Sequence, residues 1–162
     1  MDTTTISALD TVKLRKWIQQ ALQLPNGAVI GGWLPENPLP AFITVDLMTS
    51  NEIGQATREF DGKRERITQS MQSTVSLSCF GRNSLAQCYK LKAIFQSSAF
   101  LSFLKSNHWG VIRFSDVRNL TATVGADYEE RGQFDVVFSH HHIVDTPLES
   151  IESVEQRTNH LI

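Results

Sequence analysis

Glu130-Arg131-Gly132-Gln133-Phe134-Asp135-Val136-Val137-Phe138-Ser139, continuing to Asp145, is the stretch on which the fold turns. Phe134, Val136 and Phe138 recur at period two on one face, with Asp135, Val137 and Ser139 on the other. That is the pattern of a strand with one face in a core. A turn from Asp127 leads into it, so residues 127–145 read as a turn followed by one long strand. Neither part carries a nucleophile beside a base, a phosphate-cradling glycine loop or a metal cluster of adequate ligand spacing. The stretch reads as structural material.

Outward toward the N-terminus, Leu14, Trp17, Ile18, Ala21 and Leu22 recur at spacings of three and four within Ser7 to Leu24, an amphipathic helix. Pro25, Asn26 and Gly27 stop it. Ala28 to Leu34 follows as a short apolar strand whose glycines suggest a bulge or a close backbone approach. Pro35, Pro38 and Pro40 make an extended connector.

A hairpin comes next, with Ile43, Val45 and Leu47 alternating outward and Val75, Leu77 and Cys79 alternating on the return. Setting these rows on one face pairs Ile43 with Cys79 and Leu47 with Val75, which calls for a loop of odd length, Phe60-Asp61-Gly62. The outer half, Gly54 to Ser73, is polar and charged and cannot bury much core, so a long two-stranded arm projects from the domain. Ser84 and Gln87 form a capping box that opens a second helix, with a bend at Gln96, Ser97 and Ser98 and an end at Asn107 and His108. Trp109 to Phe114 is a strand, Asp116 to Asp127 an irregular linker, and Pro147 separates the long strand from a last segment, Leu148 to Gln156. The expectation is one α+β domain over residues 1–162: a largely antiparallel mixed sheet, two helices packed on one face and a long protruding β-hairpin.

At 162 residues, 41% apolar and 20% charged, the chain is sized and composed for one ordinary globular domain. A formal charge of −2 argues against a protein that grips nucleic acid. Met1 to Thr5 shows no basic region running into an apolar stretch, and no segment approaches the roughly 20 apolar residues of a membrane helix. A chain made inside the cell, with no membrane partner, is expected. Cys79 and Cys88 are not spaced as a redox or zinc motif and read as two reduced, mostly buried thiols.

His140, His141 and His142 invite a metal reading. On a strand His140 and His142 share a face, but a third ligand is not apparent from local spacing, and solvated or interface histidines are the plainer reading. Arg131 beside Glu130 reads as a structural or intersubunit ion pair rather than a catalytic pair. No catalytic residue, cofactor or metal is assigned, and the chain is read as no enzyme. The charged hairpin leaves two readings open: a solvated loop, or an assembly arm whose mixed charges set the register of neighbouring copies.

The order of elements, together with Trp17 and Ile18, the Val29 to Trp33 strand, Pro38 and Pro40 before Phe42-Ile43-Thr44-Val45, the Val75 to Gly81 strand entering a helix, and Glu130-Arg131 with Gln133-Phe134-Asp135 leading to Ile151-Glu152-Ser153-Val154, resembles the neck or tail terminator proteins of long-tailed bacteriophages. The resemblance implies a structural virion protein of the neck and tail, assembled in the host cytoplasm as a six-fold ring. Such a ring caps the tail tube, stops its polymerisation and offers the head-tail joining surface. The implied partners are other copies of the chain, the tail tube protein, a head-tail connector or stopper protein and a tail sheath, with DNA only passing through. Interface residues implied on this chain are Arg58, Lys63, Arg64, Glu65 and Arg66 of the arm, Glu130 and Arg131, and Glu149 and Glu152 of the tail. The alternatives are another connector component, such as a stopper or tail completion protein, and a small metal-dependent enzyme using His140 and His142.

Overall fold

A computed structural model describes residues 2–32, 38–124 and 127–148. The elements are β1 (Thr4–Ser7), α1 (Thr11–Ala21), β2 (Val29–Ile30), β3 (Phe42–Phe60), β4 (Arg64–Phe80), α2 (Ser84–Ile94), α3 (Ser98–Asn107), β5 (Gly110–Phe114), β6 (Arg118–Asn119), β7 (Ala122–Val124), β8 (Asp127–Glu129) and β9 (Arg131–Pro147). A seven-stranded sheet runs β1-β9-β4-β3-β2, with β5 and β6 also on β9, and β7 pairs with β8 in a separate two-stranded sheet. Among these pairs only β2–β3 is parallel. The α+β expectation is met.

One face of the sheet carries the core. Ile43 and Val45 of β3, Val75, Leu77 and Cys79 of β4, and Phe134, Val136 and Phe138 of β9 lie against Leu14 and Ile18 of α1, Cys88 and Leu91 of α2, and Phe100 and Leu104 of α3. The period-two reading of 134–138 therefore identified the buried row. Aromatic rings close the space between the layers: Phe95 stacks on Phe100 at 4.4 Å and meets Phe134 edge-on at 6.1 Å, while Trp17 tilts onto Phe100 at 4.8 Å. Both cysteines are free and buried there, and the neighbouring Cys88 together with burial pushes the Cys79 thiol well above its usual range.

Strand length explains the arm. β3, β4 and β9 contain 19, 17 and 17 residues, which at strand rise span roughly 55–60 Å. The helices contain 11, 11 and 10 residues, roughly 15 Å each. The sheet must outrun its helical layer. The arm is broader than the expected two-stranded ribbon, because β9 stays paired to β4 as far as Arg64–Pro147 and β1 joins β9 at Thr4–Asp145.

Several local expectations are corrected. The pairs Ile43–Cys79 and Leu47–Val75 form as expected, yet the turn is not Phe60-Asp61-Gly62. Phe60 pairs with Glu65 and the Asp61 N–H donates to the Arg64 carbonyl, leaving Gly62 and Lys63 as the turn. Two register shifts, between Leu47 and Thr49 and between Ile53 and Thr57, add an odd number of residues to β3 and reverse the parity on which the loop assignment rested. The first helix starts at Thr11, where the Asp10 carboxylate accepts from the Val12 N–H at 2.9 Å, and the residues before it pair with β9 as β1. Of the expected Ala28 to Leu34 strand, Val29–Ile30 form β2, and residues 33–34 lie outside the described residues.

The single bent helix is two helices. Ser97 Oγ accepts from the Phe100 N–H at 3.2 Å and donates to the Ile94 carbonyl at 2.6 Å, ending one helix and capping the next. Among the described residues three helices thus pack on the sheet where two were expected. The 116–127 linker contains β6, β7 and the start of β8. Apart from Leu148, the last segment lies outside the described residues.

Candidate assembly surface

The implied interface residues fall in two places. Arg58, Lys63, Arg64, Glu65 and Arg66 gather where β3 turns into β4. Glu130 and Arg131 stand at the other end of β9, roughly 55 Å of strand away. Glu149 and Glu152 lie outside the described residues.

At the turn, the Asp61 carboxylate accepts from the N–H groups of Arg64 at 2.7 Å and Lys63 at 3.0 Å, and these bonds hold its carboxyl below the usual aspartate range. Arg64 is committed within the chain: its Nε lies 3.1 Å from Asp145 Oδ2, and its Nη2 donates to the Asp2 carbonyl at 3.0 Å. It fastens β4 to β9 and to the N-terminal segment. Arg58, Lys63 and Arg66 are exposed and meet no carboxylate at ion-pair distance among the described residues.

Glu130 does not pair with Arg131. Its carboxylate reaches the start of α2, accepting from the Asn83 N–H at 3.0 Å and the Leu85 N–H at 3.3 Å. The expected Ser84 and Gln87 capping box is absent for a local reason. Asn83 is left-handed at φ 63° with no side-chain cap, and Ser84 is buried with its hydroxyl unpartnered. A carboxylate from β9's approach therefore serves as the helix cap. Replacing Glu130 with alanine is expected to lower stability by about 1–2 kcal/mol in urea unfolding, the usual range for a lost N-cap. An unchanged midpoint would return Glu130 to the list of residues free to meet a partner.

Arg131 lies on the sheet face away from the helices, its guanidinium 4.8 Å from the Phe80 ring centroid and its Nη2 3.3 Å from Ser78 Oγ. Phe80 stacks on Phe42 at 4.7 Å. Beside them Gln133 donates to Ser76 Oγ at 2.8 Å and to Asp135 at 2.6 Å, and Arg118 pairs with Asp135 at 2.8 Å. Opposite charges and amides facing one another across neighbouring strands tie this face together laterally.

The histidine run separates residue by residue. His141 is exposed, its Nδ1 3.3 Å from Ser70 Oγ. His140 is only 6% exposed, with Nε2 2.6 Å from Ser73 Oγ, which lies 2.8 Å from Ser50 Oγ, a polar link joining β9, β4 and β3 where the arm leaves the core. Among the described residues no three histidine, cysteine, aspartate or glutamate side chains gather as a metal site. Burial first, then the neighbouring His141 and His142, lower the His140 pKa below the ordinary 6.5. The folded chain thus keeps His140 neutral where the unfolded chain already takes a proton. Stability is complete above about pH 6.5 and falls as pH drops through that value, until the lowered folded pKa is passed. Urea midpoints of the wild type should fall between pH 7 and pH 5, and those of His140→Gln should be flatter over that window.

Sequence reasoning missed the apolar edge of the arm. Leu47, Met48, Ile53 and Phe60 of β3 are 49%, 61%, 46% and 54% exposed. Their signal was present as apolar residues inside an otherwise polar hairpin, but the bulges of β3 concealed which face or edge each would take.

A comparison with curated proteins gives no match. The family described as phage neck terminator protein matches residues 12–160. That match runs from the first helix through the arm and the whole of β9, the elements that build both the core and the projecting charged tip. The chain therefore belongs to the phage neck terminator proteins, structural virion components that serve in joining head to tail.

Proposed function

We propose that copies of this chain close into a six-fold ring, the symmetry that the family resemblance implies, which caps the end of the tail tube, stops its growth and presents the surface on which the head connector seats. No bond is made or broken. The observation that carries the reading, beside family membership, is that three long strands extend past the helical layer and end in exposed Arg58, Lys63 and Arg66. An arm of that length costs chain and gains little burial, and contact with another protein compensates it. The formal charge of −2 suits a ring through which DNA passes without adhering.

In this reading the partners are further copies of the chain, the tail tube protein, a connector or stopper protein and a tail sheath. Negatively stained images of the purified protein mixed with tail tubes test it, with discrete rings at one tube end as the expected result. Binding to portal assemblies in place of tubes would move the chain to a stopper or completion role. The double substitution Arg58→Glu/Arg66→Glu is expected to weaken tube binding with the fold intact. Arg64 is the poorer choice for that test, since its reversal also breaks the bond to Asp145.

A further inference from the structure

The main sheet ends in two unlike edges. On one side β2 covers β3 only at Ile43 and Thr44, and from Leu47 to Phe60 every residue of β3 is exposed. On the other side β1 is paired to β9 through Thr4–Asp145, Thr5–Val144 and Ser7–Ile143, and Thr4, Thr5 and Ile6 are exposed. Among the described residues no strand covers the outer edge of either. An uncovered edge offers a row of unpaired N–H and C=O groups, and proteins that stay apart blunt such rows with lysine, proline or a cover. Leu47 to Phe60 is interrupted by two bulges and by Glu52, Arg58 and Glu59, but it contains no lysine and no proline and carries the exposed Leu47, Met48, Ile53 and Phe60. This edge is built to be paired.

Strand direction selects the partner. β3 is antiparallel to β4, β4 to β9 and β9 to β1, so β1 runs opposite to β3. A second copy set alongside in the same orientation therefore brings its β1 antiparallel to the first copy's β3. The levels also agree: β1 lies beside Ile143 to Asp145, those residues beside Arg66 to Thr68, and these in turn beside Thr57 to Glu59 of β3. We infer that the β3 edge of one copy pairs with the β1 edge of the next, a head-to-tail contact made through main-chain hydrogen bonds. The inference rests on the ring reading above and names the contact that closes the ring. Each copy uses its β1 edge once and, at the level of Thr57 to Glu59, its β3 edge once, so the contact repeats from copy to copy around a ring.

The test uses two variants of the full chain, Thr57→Lys/Phe60→Lys to block the β3 edge and Thr4→Lys/Ile6→Lys to block the β1 edge, with sedimentation and thermal unfolding as readouts. Each variant alone is expected to remain a folded monomer, melting within about 2 °C of the monomeric chain, as surface changes usually do. An equimolar mixture is expected to give a one-to-one dimer and nothing larger, because only one β3 edge and one β1 edge remain usable in each pair. A β1-blocked variant that dimerises alone would show β3 pairing with β3 and overturn the inference. A β3-blocked variant that assembles like the wild type would overturn it and leave the ring reading standing. A wild-type chain that stays monomeric even on tail tubes would remove both. If a double variant loses its far-UV spectrum, Thr57→Lys and Ile6→Lys singly carry the same comparison.

Discussion

Phe134→Ala is expected to destabilise the protein by about 3–5 kcal/mol, the usual cost of emptying a buried phenylalanine site. Phe134 is fully buried, pairs across the sheet with Leu77 and meets the Phe95 ring edge-on at 6.1 Å. Its removal opens a space beside Phe95 at the end of α2, and rings stacked on rigid strands have little freedom to fill it. For a domain of this size the thermal midpoint should fall by roughly 6–20 °C. Since whole domains are stable by only about 5–15 kcal/mol, much of the margin would go. Thermal and urea unfolding measure this, and a loss under about 2 kcal/mol would mean that the aromatic layer repacks and that 134–138 is not the rigid centre of the core.

A loss of similar size is expected for Gly81→Ala. Gly81 sits where β4 ends, at φ +105°, and a Cβ there would lie 2.4 Å from the Pro40 carbonyl oxygen and 2.9 Å from the Ala41 Cα. Those are backbone atoms of the segment entering β3, so no side-chain rotation relieves the overlap. The same residue bonds to both neighbours of this junction: its N–H donates to the Glu130 carbonyl at 3.2 Å and its carbonyl accepts from the Ser84 N–H at 3.1 Å. The positive φ and the displaced backbone together should cost about 2–5 kcal/mol. Gly62→Ala supplies the comparison, having φ +102° but nothing within 4 Å of the added Cβ. It should lose only the conformational part, about 1–2 kcal/mol. Equal losses at the two positions would show that the approach of Pro40 to Gly81 yields easily.

What could be read from the residues was local or periodic. The α+β class, the hairpin with Ile43 facing Cys79 and Leu47 facing Val75, and the buried row at 134, 136 and 138 all rest on apolar spacing, which reports the face a residue takes without reference to the rest of the chain. The misreadings have two causes, one distant in the chain and one local. Ser84 had the residues for a capping box, but the left-handed Asn83 and the carboxylate of Glu130, 47 positions after Asn83, took the helix end. The polar run at 96–98 was read as a bend because a helix with polar residues and two abutting helices look alike until Ser97 bonds both ends.

The candidate surface divides in the same way. The charges at the arm's turn were legible as a cluster because they are adjacent in the chain. That Arg64 is tied to Asp145 while Arg58 and Arg66 remain exposed depends on β9 lying beside β4, a pairing across more than eighty residues that no local pattern encodes. His140 shows the same limit: three adjacent histidines suggested a shared ligand, and pairing with β4 buried one of them on Ser73 instead.

Composition and spacing were thus sufficient for the kind of fold, the row of side chains at its centre and the presence of a charged projection, since each follows from how neighbouring residues alternate between water and core. Which strands lie beside β9, which charges are spent within the chain, and which two edges no described strand covers were settled by packing alone, because the partners of β9 come from distant parts of the chain and their choice depends on burying one common face.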